Sequence, residues 1–226
     1  MGDTGFVIST FGSPAYVDLQ LKLHKGKWGH DCIVSDDGSQ DQRLQEVCDK
    51  WEVPLIGLNA SRLGHQKGDA KSLSRLVKHF PDKTFIFKIS RRFLWLKDFS
   101  KELPESDYTK SPFLSDWWVP NSKWENNKAF TSCCFGIYNK ALQGELRTVL
   151  LKFPDYVSEL PRGGFFVEPM LFKVFKAFFK EPLTIWRQLY KERGREQVGE
   201  DVLWKNNASP YKYKLLADLL DLNWSL

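Results

Sequence analysis

The sequence has no run of five or more like charges, no apolar stretch near the roughly 18 residues of a membrane span, and no CxxC spacing. The first absence argues against a nucleic-acid-binding tail, and the second against a transmembrane helix. The third leaves Cys32, Cys48, Cys133 and Cys134 to be read as reduced core residues. No internal repeat or low-complexity segment marks a solenoid. Histidine is scarce, and all four lie at or before residue 79. Met1-Gly2-Asp3-Thr4-Gly5 leads directly into an apolar strand without the basic region of a signal peptide, so a cytoplasmic protein is expected. On that expectation the acceptor tripeptides beginning at Asn59, Asn207 and Asn223 carry little meaning.

What is present is ordinary globular composition, unusually rich in rings. Of 226 residues, 42% are hydrophobic and 27% charged, which suits one folded α/β domain. The 33 basic and 28 acidic side chains leave a formal charge of +5, a mildly basic solvated surface. Nine Trp and seventeen Phe predict a core and clefts lined by large flat side chains.

From Phe6 to about Trp95 the pattern alternates strand and helix, as a mostly parallel sheet requires. Strands are predicted at Phe6–Thr10, Asp31–Ser35, Val53–Leu58 and Thr84–Ile89. Between the second and third, Ser39 and Gln42 have capping-box spacing ahead of a helical face of Leu44, Val47, Cys48 and Trp51. Between the third and fourth, Ala70, Leu73, Leu76, Val77 and Phe80 form another apolar stripe, stopped by Pro81-Asp82. The first connection alternates like a strand at Val17, Leu19, Leu21 and Leu23. It is read as a helix because Ser13-Pro14 has the form of an N-cap and parallel neighbours need a crossover. After a polar stretch with Pro104, Pro112 and Pro120 come a strand at Ser132–Tyr138 and helices at Asn139–Phe153 and Glu168–Lys180. The terminal Tyr211–Leu226 segment puts Leu215, Leu216, Leu219 and Leu220 on one helical face. That face is expected to pack on the domain or to make a peripheral membrane contact.

Ligands of open α/β sheets bind outside the carboxyl ends of the strands, where Val34-Ser35-Asp36-Asp37-Gly38-Ser39 stands. Asp36 and Asp37 can accept hydrogen bonds from a base N–H or ribose hydroxyls, and Gly38 lets the backbone turn close to a ligand. The same residues also read as a turn followed by a helix cap. This stretch resembles the strand-end signature of GT-A glycosyltransferases, family-2-like enzymes in particular, and the likeness covers roughly residues 5–180. The resemblance implies a single GT-A-type domain, a mixed and mostly parallel sheet flanked by helices. Residues 1–95 would form the nucleotide-sugar half, 96–180 the acceptor and catalytic half, and 181–226 a C-terminal extension. It further implies a hexosyltransferase-like enzyme taking a UDP- or GDP-sugar and a saccharide, glycan or lipid-linked acceptor. Ser9, Thr10 and Phe11 would line the nucleotide pocket. The loop Arg62-Leu63-Gly64-His65-Gln66-Lys67-Gly68-Asp69, read alone as a solvated surface loop, would bring Lys67 or Arg62 to the diphosphate.

One departure bears on mechanism. Where many GT-A enzymes carry an Asp-x-Asp metal motif at the end of the fourth strand, this sequence has Ser90-Arg91-Arg92. Neither serine nor arginine replaces an anionic ligand for a hard cation, whereas arginine neutralises phosphate directly. The later histidine of such metal sites is missing as well. The expectation is therefore transfer without a metal or other cofactor, Mn²⁺ or Mg²⁺ being the alternative, with Lys191, Arg193 and Arg195 as further positive charge. In Gly163-Gly164-Phe165-Phe166-Val167-Glu168-Pro169, Glu168 resembles the family's catalytic base at a helix start, with Asp155 and Asp116 as runners-up. Trp117 and Trp118 could stack on an acceptor sugar. Cys133 and Cys134 lack a histidine to activate them as nucleophiles. The competing readings are an inactive GT-A-like domain that binds a sugar or a protein, and a sugar-nucleotide nucleotidyltransferase.

Overall fold

The computed structural model describes residues 3–91, 93–115, 119–120, 128–129, 134–159, 167–185 and 202–204. Its strands in chain order are β1 (Thr4–Thr10), β2 (Asp31–Asp36), β3 (Leu55–Ile56), β4 (Phe85–Ser90), β5 (Phe93–Trp95) and β6 (Phe113–Ser115). They continue with β7 (Val119–Pro120), β8 (Lys128–Ala129), β9 (Cys134–Tyr138), β10 (Leu183–Ile185) and β11 (Val202–Trp204). Seven form one sheet in the order β10-β6-β9-β4-β1-β2-β3, in which β9 alone runs antiparallel to its neighbours. β5 pairs with β11, and β7 with β8, in two small antiparallel pieces.

Alternation along each strand supplies two cores, because successive side chains point to opposite faces. Val7, Ile33 and Ile86 face three helices: α3 (His65–His79), α4 (Gly144–Ser158) and α5 (Val167–Phe178). Phe6, Ile8, Val34, Phe87 and Ile89 face α1 (Pro14–Leu21) and α2 (Arg43–Lys50) together with Phe93 and Trp95. Burial rather than capping holds α3. Its N-cap Gly64 offers no side-chain bond, while Leu73, Leu76 and Val77 are all but fully buried and together contribute roughly 5–9 kcal/mol.

The path of the chain decides what meets at each edge of the sheet. β1, β2, β4, β6 and β10 run the same way, so their carboxyl ends share one edge. α3 starts at that edge, since it leads back to the beginning of β4. α4 ends there, because Lys67 Nζ at the start of α3 donates to the Ser158 carbonyl at 3.2 Å. α5 also starts there. Phe175, two turns after Glu168, meets Phe113 at the beginning of β6, ring centroids 5.0 Å apart. Among the described residues, no helix is long and apolar enough to cross a membrane.

Several boundaries differ from expectation. α2 begins at Arg43 and the Ser39–Gln42 capping box does not form, because the Ser39 amide is drawn to the Asp36 carboxylate three residues earlier. The third strand is confined to two residues. The predicted Asn139–Phe153 helix is a 3-10 turn over Asn139–Ala141 and then α4, which restarts at Gly144 (φ 53°) and continues through Pro154. The first crossover is helical, as predicted, and extends through a π-helical turn at Lys22–Lys27. β5, β6 and β10 lie in stretches given no strand in the sequence reading. The Tyr211–Leu226 segment and Cys133 fall outside the described residues. Cys32, Cys48 and Cys134 are buried and form no disulfide. Burial pushes the Cys48 thiol up to about 12 and the Cys32 thiol up as well, which suits inert core residues.

The π-helical turn buries His24 completely beside His30, their Nδ1 atoms 3.1 Å apart. His30 Nε2 lies 3.1 Å from Asp98 Oδ1, so it carries the proton, and His24 Nδ1–H must donate to His30 Nδ1. Burial, then the neighbouring His30, pushes the His24 pKa well below the usual histidine value. Burial lowers His30 too, against the opposing pull of Asp98. The folded protein therefore binds fewer protons than the unfolded chain once the pH falls below about 6.5. Stability is fully present above that pH and is lost as pH falls, by about 1.4 kcal/mol per unit for each imidazole that stays neutral. The melting temperature is predicted to drop between pH 7 and pH 5, and less steeply in His24→Phe. A flat profile over that range in the wild type would contradict this account.

Candidate active site

The end of β2 organises the shared edge. Asp36 is fully buried, and Oδ1 accepts the Gly12 amide at 2.8 Å while Oδ2 accepts the Ser39 amide. One carboxylate thus ties the turn after β1 to the turn after β2. What Asp36 offers a ligand is the shape of these turns, since both oxygens are engaged by backbone. Asp37 performs a similar task one loop further on. It accepts the amides of Leu63 (3.2 Å) and Gly64 (2.8 Å) and pairs with Lys71 at 3.2 Å. Gly38 (φ 86°) makes this convergence feasible, because a Cβ there would stand 2.1 Å from the Ala60 carbonyl oxygen. Arg75 reinforces the base of the loop by donating to Ser35 Oγ at 2.8 Å and to the Asp36 carbonyl at 2.7 Å.

β1 ends in an exposed ring held by arginines. Phe11 is 37% exposed, and the Arg62 guanidinium lies 3.8 Å from its ring centroid, a cation–π stack. Arg91 Nη1 donates to the Phe11 carbonyl at 2.8 Å and reaches Thr10 Oγ1 at 3.4 Å. Thr10 is buried, its hydroxyl turned onto the Gly12 carbonyl. Gly12 and Ser13 both adopt left-handed backbone, a strain of order 1–3 kcal/mol for the serine that Asp36 helps to hold. Gln20 of α1, fully buried, donates its amide to the Phe93 carbonyl at 2.8 Å and approaches those of Ser90 and Arg91, which fixes the β4–β5 turn that carries Arg91.

Two charged residues that the sequence reading did not single out lie under this edge. Lys88, in the middle of β4, is fully buried and pairs with Asp69 of α3. Ser9 Oγ donates to the same Asp69 oxygen at 3.2 Å, and Ser9 is the register partner of Ser90. A signal existed: an ammonium in the apolar run Phe85–Ser90 has to find a carboxylate, because an unpaired buried charge costs several kcal/mol.

Of the other predicted residues, Glu168 is half-buried in the first turn of α5, at the same edge as Ser9, Phe11, Asp37, Ser90 and Arg91. Lys67 is there too, bonded to the end of α4. Arg92, Asp116, Trp117, Trp118, Lys191, Arg193 and Arg195 lie outside the described residues. At the opposite edge, where β6 and β10 begin, a groove of about 530 Å³ is lined by Ser106, Thr109, Lys110, Phe178 and Lys180. It holds none of the predicted residues.

β4 ends in a hydroxyl and a guanidinium, and among the described residues no three His, Cys, Asp or Glu side chains converge. Asp36 and Asp37 are engaged by backbone amides, and Oδ1 of Asp69 by an ammonium.

No protein-family model matches the sequence, and no curated protein does. Solved structures match over nearly the whole chain. An active-site variant of LgtC superposes with a TM-score of 0.59 at 9% identity, covering 99% of this chain and 97% of that one. The galactosyltransferase LgtC in complex with donor and acceptor sugar analogs gives 0.58 at 8% identity, with the same coverage. A 4-diphosphocytidyl-2C-methyl-D-erythritol synthase from Anaerococcus prevotii gives 0.50 at 8% identity, covering 96% and 97%. At such identities the likeness shows the fold: a GT-A-type, Rossmann-like sheet common to glycosyltransferases and a nucleotidyltransferase.

Asp36→Ala leaves two backbone amides without an acceptor in a buried turn. It is predicted to destabilise the protein by about 2–4 kcal/mol in urea unfolding. A loss below about 0.5 kcal/mol would mean that the carboxylate does not hold these turns together.

Proposed function

We propose that the chain is a glycosyltransferase that moves a sugar from a nucleoside diphosphate donor to an acceptor hydroxyl, with inversion and without a divalent metal. The observation that carries this reading is the company at one sheet edge: an aromatic ring stacked by one guanidinium, a second guanidinium on the carbonyl of the same residue, and a separate carboxylate at the start of a helix. A nucleotide sugar has matching parts, namely a flat base, an anionic diphosphate and an electrophilic anomeric carbon. The base stacks on Phe11. The diphosphate lies against Arg91 and Arg62, and Asp37 keeps the covering loop in place. Similarity to LgtC, solved with donor and acceptor sugar analogs, supports the substrate class.

In this mechanism Glu168 accepts the proton of the acceptor hydroxyl, whose oxygen attacks the anomeric carbon from the face opposite the diphosphate. The bond from that carbon to the phosphate oxygen breaks as the new glycosidic bond forms. The leaving diphosphate takes the electron pair, and the arginines neutralise its growing charge, the task a metal performs elsewhere.

A second reading, nucleotidyl transfer, draws on the shared fold of the Anaerococcus synthase. The turn after β1 speaks against it. The Gly12 amide is engaged by Asp36, the Tyr16 and Val17 amides by the Ser13 carbonyl, and Pro14 has none, which leaves few donors to cradle a triphosphate.

With UDP- and GDP-sugars and an acceptor panel, transfer is predicted to persist in excess EDTA. Glu168→Gln should lower kcat by about 10²–10⁴ while leaving the donor KM little changed. Loss of turnover in EDTA with recovery in Mn²⁺ would overturn the metal-free mechanism, and full activity in Glu168→Gln would remove Glu168 as the base.

A further inference from the structure

We infer that Asp69 is the hydrogen-bond acceptor for hydroxyl groups of the transferred sugar, an assignment that rests on the donor reading above. Its geometry is that of a carboxylate fixed at one end and open at the other. Both Lys88 Nζ and Ser9 Oγ contact Oδ1, while Oδ2 accepts no hydrogen bond among the described residues. The Asp69 side chain keeps 20% exposure although Lys88 beneath it has none. For packing alone, two apolar side chains would be as stable as this ion pair, or more so. This one instead anchors a charged oxygen at the edge where β1 and β4 end, held from β1, β4 and α3 at once.

Charge and order along the edge select the ligand part. A carboxylate oxygen only accepts, so it repels phosphate and calls for O–H or N–H donors. Across the strand order from β2 to β6, the edge presents Asp37 at β2, Phe11 under Arg62 at β1, Arg91 at β4 with Asp69 bridging Ser9 of β1 and Lys88 of β4, and lastly Glu168 on α5, which covers β6. Asp69 therefore shares β1 and β4 with Phe11 and Arg91, and shares with Glu168 the face of the sheet that α3 and α5 cover. In a nucleotide sugar the part between the diphosphate and the attacking hydroxyl is the sugar that is transferred, not the ribose.

Isothermal titration of the full chain with UDP, GDP, UDP-glucose, UDP-galactose and GDP-mannose tests this directly. In Asp69→Asn the amide turns its oxygen to Lys88 and its NH₂ to the cleft, reversing the polarity offered. Affinity for the nucleotide sugar that binds the wild type should fall about ten-fold or more, while its parent nucleoside diphosphate binds within about two-fold of wild type. Should the single variant fold poorly, Asp69→Asn with Lys88→Met removes the uncompensated buried ammonium and should show the same selective loss. Equal losses for both ligands, or no loss for either, would overturn the assignment. A wild-type chain that binds none of the five probes would instead sink the donor reading, and the Asp69 assignment with it.

Discussion

Four backbone amides converge on two adjacent carboxylates at the end of β2, and the architecture of the sheet edge depends on them. Asp36 holds Gly12 and Ser39, and Asp37 holds Leu63 and Gly64. Three loops that diverge from β1, β2 and β3 are thereby drawn to a common point. Open α/β sheets bind ligands outside the carboxyl ends of the strands, where such loops diverge, and here the divergence is fixed by these ties. Here the tie is ionic at one end and backbone at the other, so it resists side-chain substitution within the loops but not at the two aspartates. Phe11 and Arg62 come within stacking distance of one another as a consequence.

Beneath this layer the α3 face of the sheet changes character as it nears the edge. Val7, Ile33 and Ile86 are fully apolar, and two residues further along each strand stand Ser9, Ser35 and Lys88. The polar groups are satisfied mainly from α3, through Asp69, Ser72 and Arg75. Such a layer stabilises less than an apolar one of the same volume. A polar layer on the way to the strand ends is what a ligand edge requires.

Much of this was legible in the sequence because its signals are local. The α2 and α3 stripes, the strands β1, β2 and β4, and the acidic-Gly-Ser turn each declare themselves within about a dozen residues. β6 and β10 did not, since three-residue strands acquire their identity from neighbours distant in the chain, β10 pairing with β6 across some seventy residues. The capping box failed for a related reason: Ser39 fits the pattern, but Asp36 competes for its amide at closer range. Asp69 was read as the end of a flexible loop, whereas it belongs to α3 and answers a lysine nineteen residues later. The aspartates at β2 were found as a motif. Their work of holding loops, as distinct from touching a ligand, became visible only with the amides in place.

Hydrogen exchange of the full chain, with and without each nucleoside diphosphate and in excess EDTA, tests most directly that this edge is the donor site. The account predicts that one nucleotide slows exchange at Gly12, Ser39, Leu63 and Gly64, the amides bound to the two aspartates, and leaves the groove between 106–111 and 178–181 unchanged. Protection confined to that groove, or no protection by any nucleotide, would contradict it.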